Sequence, residues 1–166
     1  MMFREMRRTR QLLSREDSIA ILERGTSGVL AVSGDDGYPY AVPLSYVYQD
    51  GTLFFHSAVT GHKLDAIARS GKVSFCVIDQ DQVVPETYTT HFRSVIAFGR
   101  ARVLTDPAEA RTALALLGRK YAPDQGEDAL RAEMDKSFSH LRVIAVTIEH
   151  LTGKEAIELV PKKEKT

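Results

Sequence analysis

Apolar positions along the chain follow two rhythms, and together they predict a mainly β protein with helices set around it. Val29, Leu30, Ala31 and Val32 form a strand-like run that ends at Gly34-Asp35-Asp36-Gly37, residues suited to a tight turn. Residues 38–48 read as one long extended segment, and Gln49-Asp50-Gly51 supplies a second hairpin signal before residues 52–56 pair back. Residues 72–78 predict a fourth strand and residues 92–104 a fifth, with Gly99 as a bulge or close-approach point. Residues 141–149 predict the sixth, with 151–159 extending it past a kink at Gly153. The polar segment 79–90 contains Pro85 and reads as a loop with some extended structure.

Helical spacing appears in four places. Ser14 is an N-cap candidate with a carboxylate, Asp17, three residues on; Ile19, Ala20 and Leu22 follow, and Gly25 ends the helix. In residues 60–70, Leu64, Ile67 and Ala68 share a face and Gly71 is the stop. Asp106-Pro107 places a cap and a first-turn proline ahead of a helix to about residue 121, and another follows Pro123-Asp124 to about 138. Consecutive hairpins followed by long strands, apolar on both faces, predict a closed or nearly closed antiparallel barrel of α+β class. The expected layout is one domain over residues 1–166, with a helical arm at about 1–25, a helical insertion at about 106–138 and a disordered tail at about 161–166.

Composition narrows the function. The 166 residues are 43% apolar and 27% charged, with 22 basic and 22 acidic side chains, which gives no pull toward a polyanion. No basic stripe interleaved with aromatics is present, so nucleic acid is not an expected partner. One cysteine, Cys76, excludes an intrachain disulfide and multi-cysteine metal sites, and its apolar neighbours predict a buried, inert thiol. The basic N-terminus lacks the apolar core of a signal peptide, and no apolar run reaches membrane-spanning length, so a soluble, cytoplasmic protein is expected.

Several chemistries are missing their signatures: no G-x-S-x-G elbow, no phosphate-binding glycine loop, and no histidine pair at i, i+4. Three stretches remain. Pro43 lacks an N–H, so the strand around Val42, Pro43, Leu44, Ser45 and Tyr46 belongs at an edge or bulge, where backbone groups are free to meet a ligand. His56, Ser57 and Ala58 lead into a helix start carrying His62 and Lys63. A lysine at the positive end of a helix is mildly unfavourable alone but becomes a ligand if an anion binds there; spacing leaves both open. Arg93, Ser94 and Val95 open the long fifth strand, and spacing alone makes Arg93 a surface charge.

Taken in order, Met6-Arg7-Arg8, Asp36-Gly37-Tyr38-Pro39-Tyr40-Ala41-Val42-Pro43-Leu44, Phe55-His56-Ser57-Ala58 with Gly61-His62-Lys63-Leu64-Asp65, and Arg93-Ser94-Val95-Ile96-Ala97-Phe98-Gly99-Arg100-Ala101 resemble the flavin-binding split-barrel proteins related to pyridoxamine 5′-phosphate oxidase, especially the nitroimidazole-resistance branch. The resemblance covers roughly residues 6–159 and departs at Phe92, where tyrosine is frequent, and at His62, where lysine or arginine is common. It implies a six-stranded Greek-key split barrel holding FMN at a homodimer interface. It places Val42, Pro43, Leu44, Ser45 and Tyr46 along the flavin ring, and His56, Ser57, Ala58, His62 and Lys63 at the ring edge and phosphate. Arg93, Ser94 and Val95 come near from a neighbouring strand, and His56 takes the catalytic role. The implied activity is FMN-dependent reduction of a small compound, nitroaromatics included; the alternatives are a non-catalytic flavin-binding or storage protein and a haem- or deazaflavin-binding barrel.

Overall fold

The computed structural model describes residues 3–161, so the expectations for residues 1–2 and for the tail at 162–166 lie outside the described residues. The strands are β1 (Ser27–Ser33), β2 (Pro39–Ser45), β3 (Val47–Gln49), β4 (Thr52–Ala58), β5 (Lys72–Val84), β6 (Thr89–Val103) and β7 (Leu141–Glu155). The helices are α1 (Arg15–Arg24), α2 (His62–Arg69), α3 (Pro107–Tyr121) and α4 (Glu127–Ser137). All strand pairings are antiparallel, in the order β2-β1-β5-β6-β7-β4-β3. The chain is therefore α+β, as the hydrophobic rhythm predicts.

Its two edge strands, β2 and β3, are consecutive in the chain with only Tyr46 between them. The sheet must therefore curl until its edges meet at that residue. The single segment expected over 38–48 is broken there, which makes the strand count seven instead of six. Tyr46 is wholly buried, with its ring edge-on to Phe75 at 4.9 Å, and Phe55 meets Phe75 the same way at 5.0 Å. This aromatic trio sits inside the curl with Leu30, Leu53, Val77, Val95 and Ile144, while α1 and α2 close it through Ile21, Leu22, Ala66 and Ile67. Pro43 lies on an edge strand, as its missing N–H requires.

A second cluster lies on the opposite face of β4 and β7, where Ala113, Leu114 and Leu117 of α3 cover Val47, Val143 and Ala145. α3 starts where its cap predicts, whereas α4 begins at Glu127, later than Pro123-Asp124 suggests. The expected loop at 79–90 is largely ladder: β5 and β6 stay paired out to Val84 and Thr89, with a 3-10 turn at Pro85–Thr87. Backbone pairing does not need apolar side chains, so a polar ribbon was hidden from a hydrophobicity reading. β7 runs continuously through Gly153, and its irregularity falls opposite Phe98 and Gly99 instead. A Cβ on Gly99 would lie 2.3 Å from the Thr147 carbonyl oxygen, so this is a close approach of two backbones. Cys76 corrects another expectation: Phe75 and Val77 take the inward positions of β5, and the pleat turns Cys76 outward, half-buried.

Candidate functional site

β4 leads into the segment of interest. Its alternation sends Leu53, Phe55 and Ser57 into the core and His56 and Ala58 to the opposite face. Three residues later Gly61 takes φ 144°, a conformation natural to glycine, and serves as N-cap of α2 without any side-chain cap. The Gly61 carbonyl accepts from the Leu64 and Asp65 N–H groups at 3.0 and 3.1 Å, which leaves the earlier helical N–H groups pointing out of the helix start. Lys63 stands among them, half-buried. It lies three and four positions before Ala66 and Ile67, so its stem shares the face that packs on the core. Among the described residues it has no hydrogen-bonding or ionic partner.

Two buried polar atoms nearby in sequence are also unpaired: Ser57 Oγ and His62 Nε2. An unpaired buried hydroxyl costs about 1–3 kcal/mol, so its retention calls for a partner supplied from outside. His62 is a weaker case. Its ring stacks on Tyr40 at 4.1 Å, and Nε2 lies 3.6 Å from Asp35 Oδ2, an ion-pair distance too long for a hydrogen bond. Asp35 also accepts from Arg69 at 2.7 Å. His62 is thus turned toward the β1–β2 turn, beside a carboxylate.

On β2, Val42 and Leu44 pack on the core while Pro43 and Ser45 are exposed. Tyr46 is committed elsewhere. Its hydroxyl donates to the Leu22 carbonyl at 2.8 Å, and burial pushes its pKa well above the usual phenol range. The Tyr121 hydroxyl accepts from the Tyr46 N–H at 2.8 Å and lies 2.7 Å from the Tyr46 carbonyl, where it also reaches the Thr26 carbonyl. Lys120 Nζ sits 4.3 Å over the Tyr46 ring, donates to the Gly25 carbonyl, and has its pKa lowered by burial. These bonds leave Val42 to Ser45 as the part of the strand free to meet a ligand.

The expected residues do not all converge. Val95 is wholly buried in the core, Arg93 is paired with Glu155 at 3.0 Å, and Ser94 lies in register with Ile78 and Lys154. α2 adjoins β6 at the far end, where the Ala101 N–H donates to the Gly71 carbonyl. Eight positions of extended strand separate Arg93 from Ala101, about 26 Å. Within one chain, Arg93 and Lys63 therefore belong to different ends of the sheet.

His56, on the outward side of β4, opens instead onto a cavity of about 340 Å³ shared with Ser45, Leu117, Tyr121, Leu130 and Met134. The helical residues of that wall were missed. Their signal was the apolar spacing of Leu114 and Leu117 in one helix and Leu130 and Met134 in the next, which reads as ordinary packing until β4 is placed beneath it.

The family model for pyridoxamine 5′-phosphate oxidase matches residues 14–155, spanning β1 through β7 and all four helices. The chain belongs to that family. Comparison with curated proteins finds no match. Among solved structures, the pyridoxamine 5′-phosphate oxidase fold seen here is similar to a candidate 5-nitroimidazole antibiotic resistance protein of Bacteroides thetaiotaomicron, at 23% identity and TM-score 0.72 over 87% of this chain and 86% of that one. A FAD-binding protein of Mesorhizobium loti is 27% identical with TM-score 0.59, covering 88% and 97%. The flavocytochrome Anf3 of Azotobacter vinelandii is 20% identical with TM-score 0.79, covering 96% and 76%. No helix among the described residues is long and apolar enough to cross a membrane.

Proposed function

We propose that this family member binds a flavin, FMN in particular, and uses it to reduce a small compound. The observation that carries the reading is the start of α2, where a half-buried lysine and unsatisfied helix N–H groups meet with no side-chain cap. That donor set fits a phosphate monoester. The buried, unpaired Ser57 hydroxyl adds a further donor four residues before Gly61. Membership of the family, and relatives that bind FAD or are flavocytochromes, support a flavin as the molecule bearing that phosphate.

Bound flavin supplies the electron pair. The chain's own contribution is orientation and proton delivery. The edge of β2 from Val42 to Ser45 offers apolar side chains and free backbone groups to a planar ring. Lys63 and the α2 N–H groups hold the anionic end, and His56 delivers a proton to the reduced substrate from the opposite face of β4. His62 is a minor member of this set.

A homodimer follows from the same reading. Arg93 and Ser94 would come to the site from a second copy, since within one chain α2 adjoins β6 near Ala101, about 26 Å of strand away from Arg93. An apolar outward row also needs cover: Pro43, Val29, Cys76 and Ile96 are paired side by side across β2, β1, β5 and β6. In that dimer β2 and β3 count as one bent strand of a six-stranded split barrel, working in the cytoplasm.

The test is a visible spectrum of the purified protein with mass analysis of what it releases on denaturation. Flavin bands that bleach with reductant and a released mass of FMN are expected. Colourless protein that takes up no FMN in titration would remove the proposal. Flavin without turnover on any acceptor would leave a storage role.

A further inference from the structure

α3 and α4 form a hairpin standing on β4, and beside Ser45 and His56 the space between them holds Glu133 and Ser137, which the flavin reading does not use. Leu117, Leu130 and Met134 give three apolar sides, Gly118 lets Leu130 approach, since a Cβ there would meet its Cδ1 at 2.3 Å, and His56 lies on the floor. Glu133 faces the same space. Its Oε1 accepts from Ser137 Oγ at 2.7 Å, which leaves Oε2 with no partner among the described residues. A glycine inside α3 costs about 1 kcal/mol in helix stability, so close packing at the cavity wall is being maintained at some expense. α4 has no fully buried residue and is tied to α3 by the exposed pairs Arg111–Asp135 and Arg119–Glu127. Exposed pairs of this kind contribute about 0–1 kcal/mol each, so α4 is held chiefly by Leu130 against Gly118 and by Met134 on the second cluster.

We propose that this cavity is the substrate subsite, taking a flat, uncharged aromatic molecule of one or two rings that bears a hydrogen-bond donor. The proposal rests on the reductase reading for its purpose, but its binding chemistry stands apart from the flavin. At about 340 Å³ the space is at the small end of ligand pockets, which suits one or two rings. The leucines and Met134 take the ring faces. Glu133 Oε2 accepts the donor and repels carboxylates, and His56 meets the opposite end. Glu133 and Met134 are the specificity-determining residues.

The test is fluorescence titration of the purified protein, with whatever cofactor it carries, using 2-naphthol and the carboxylate on the same ring system, 2-naphthoate, which is anionic and has no donor. Naphthol should bind at least tenfold more tightly than naphthoate. Glu133→Gln, an exposed change that leaves packing intact, should bring the two within threefold. Met134→Trp, filling the cavity, should weaken naphthol at least tenfold with flavin content unchanged. Equal binding of the two probes, or indifference to both substitutions, overturns the subsite. So does a Soret band that disappears in His56→Ala, which would assign the cavity to haem. Naphthol discrimination in protein that takes no flavin keeps the subsite and removes the cofactor reading; flavin binding without discrimination does the reverse.

Discussion

The starts of α2 and α3 solve one physical problem in opposite ways. At α3, Asp106 accepts from the Ala108 N–H at 3.0 Å, Pro107 removes a donor that would go unpaired, and Glu109 brings negative charge into the first turn. Arg119 and Lys120 occupy the last turn, so both ends complement the helix dipole. At α2 the cap is a glycine with φ 144°, no side chain accepts from the backbone, and the first turn carries Lys63 as well as the exposed Asp65. α1 is capped like α3, its Ser14 accepting from the Asp17 N–H at 3.0 Å. α4, whose N-cap is Gly126, also lacks a side-chain cap, but its first turn carries Glu127 and Asp128, whereas that of α2 carries Lys63. The difference teaches that the α2 start is kept positive and open for something other than stability.

Charge reversal separates the two helices most sharply. Lys63→Glu should raise α2 stability by about 0.3–1 kcal/mol, since a carboxylate suits a helix start. Flavin affinity should fall about a hundredfold, about 2.7 kcal/mol, in a titration of apoprotein. Lys63→Ala should cost about tenfold in affinity, about 1.4 kcal/mol, with an unchanged melting curve; unaltered affinity would show that the phosphate lies elsewhere. Asp106→Ala should do the opposite, lowering unfolding free energy by about 1 kcal/mol in urea and leaving flavin affinity alone. His62→Ala should weaken flavin less than threefold, under about 0.7 kcal/mol, because its ring is held by Tyr40 and Asp35. A larger loss would return His62 to the anion site.

The smallest effect concerns acid. The Arg102 guanidinium beside it holds the Glu109 carboxyl below the usual carboxylate range. Its contribution is therefore present above the unfolded value near 4.5 and lost as pH falls through the lower folded one. Glu109→Gln should slightly flatten the acid limb of a stability–pH profile, and no change in that limb would show that α3's first-turn charge is idle.

These contrasts also show what was legible in the sequence. Cap chemistry is local, so the starts of α1 and α3 were read residue by residue. The break at Tyr46 was not, because the hydroxyl that binds both its backbone groups belongs to Tyr121, 75 positions away. The ribbon at residues 79–90 was hidden because its ladder is made of backbone groups over polar side chains. At the site, Lys63 stood out because its charge has the wrong sign for its place. That His56 and Ser57 face opposite sides of β4 follows from the period of a strand, yet neighbours in sequence suggest a shared pocket until a sheet is drawn. Arg93 was grouped with Lys63 by motif order alone. Register, which no single stretch carries, sets them far apart.

The single residue between β2 and β3 has a further consequence. In an open sheet, an edge strand slipping by one residue turns its apolar set to solvent and disturbs only its one neighbour. Here a slip of β2 along β1 would drag β3 along β4 by the same step, and Tyr46 would leave the aromatic trio and the Tyr121 hydroxyl together. Misalignment at one edge is thus charged to both edges and the core at once, so the covalent seam works as a proofreading device for strand register.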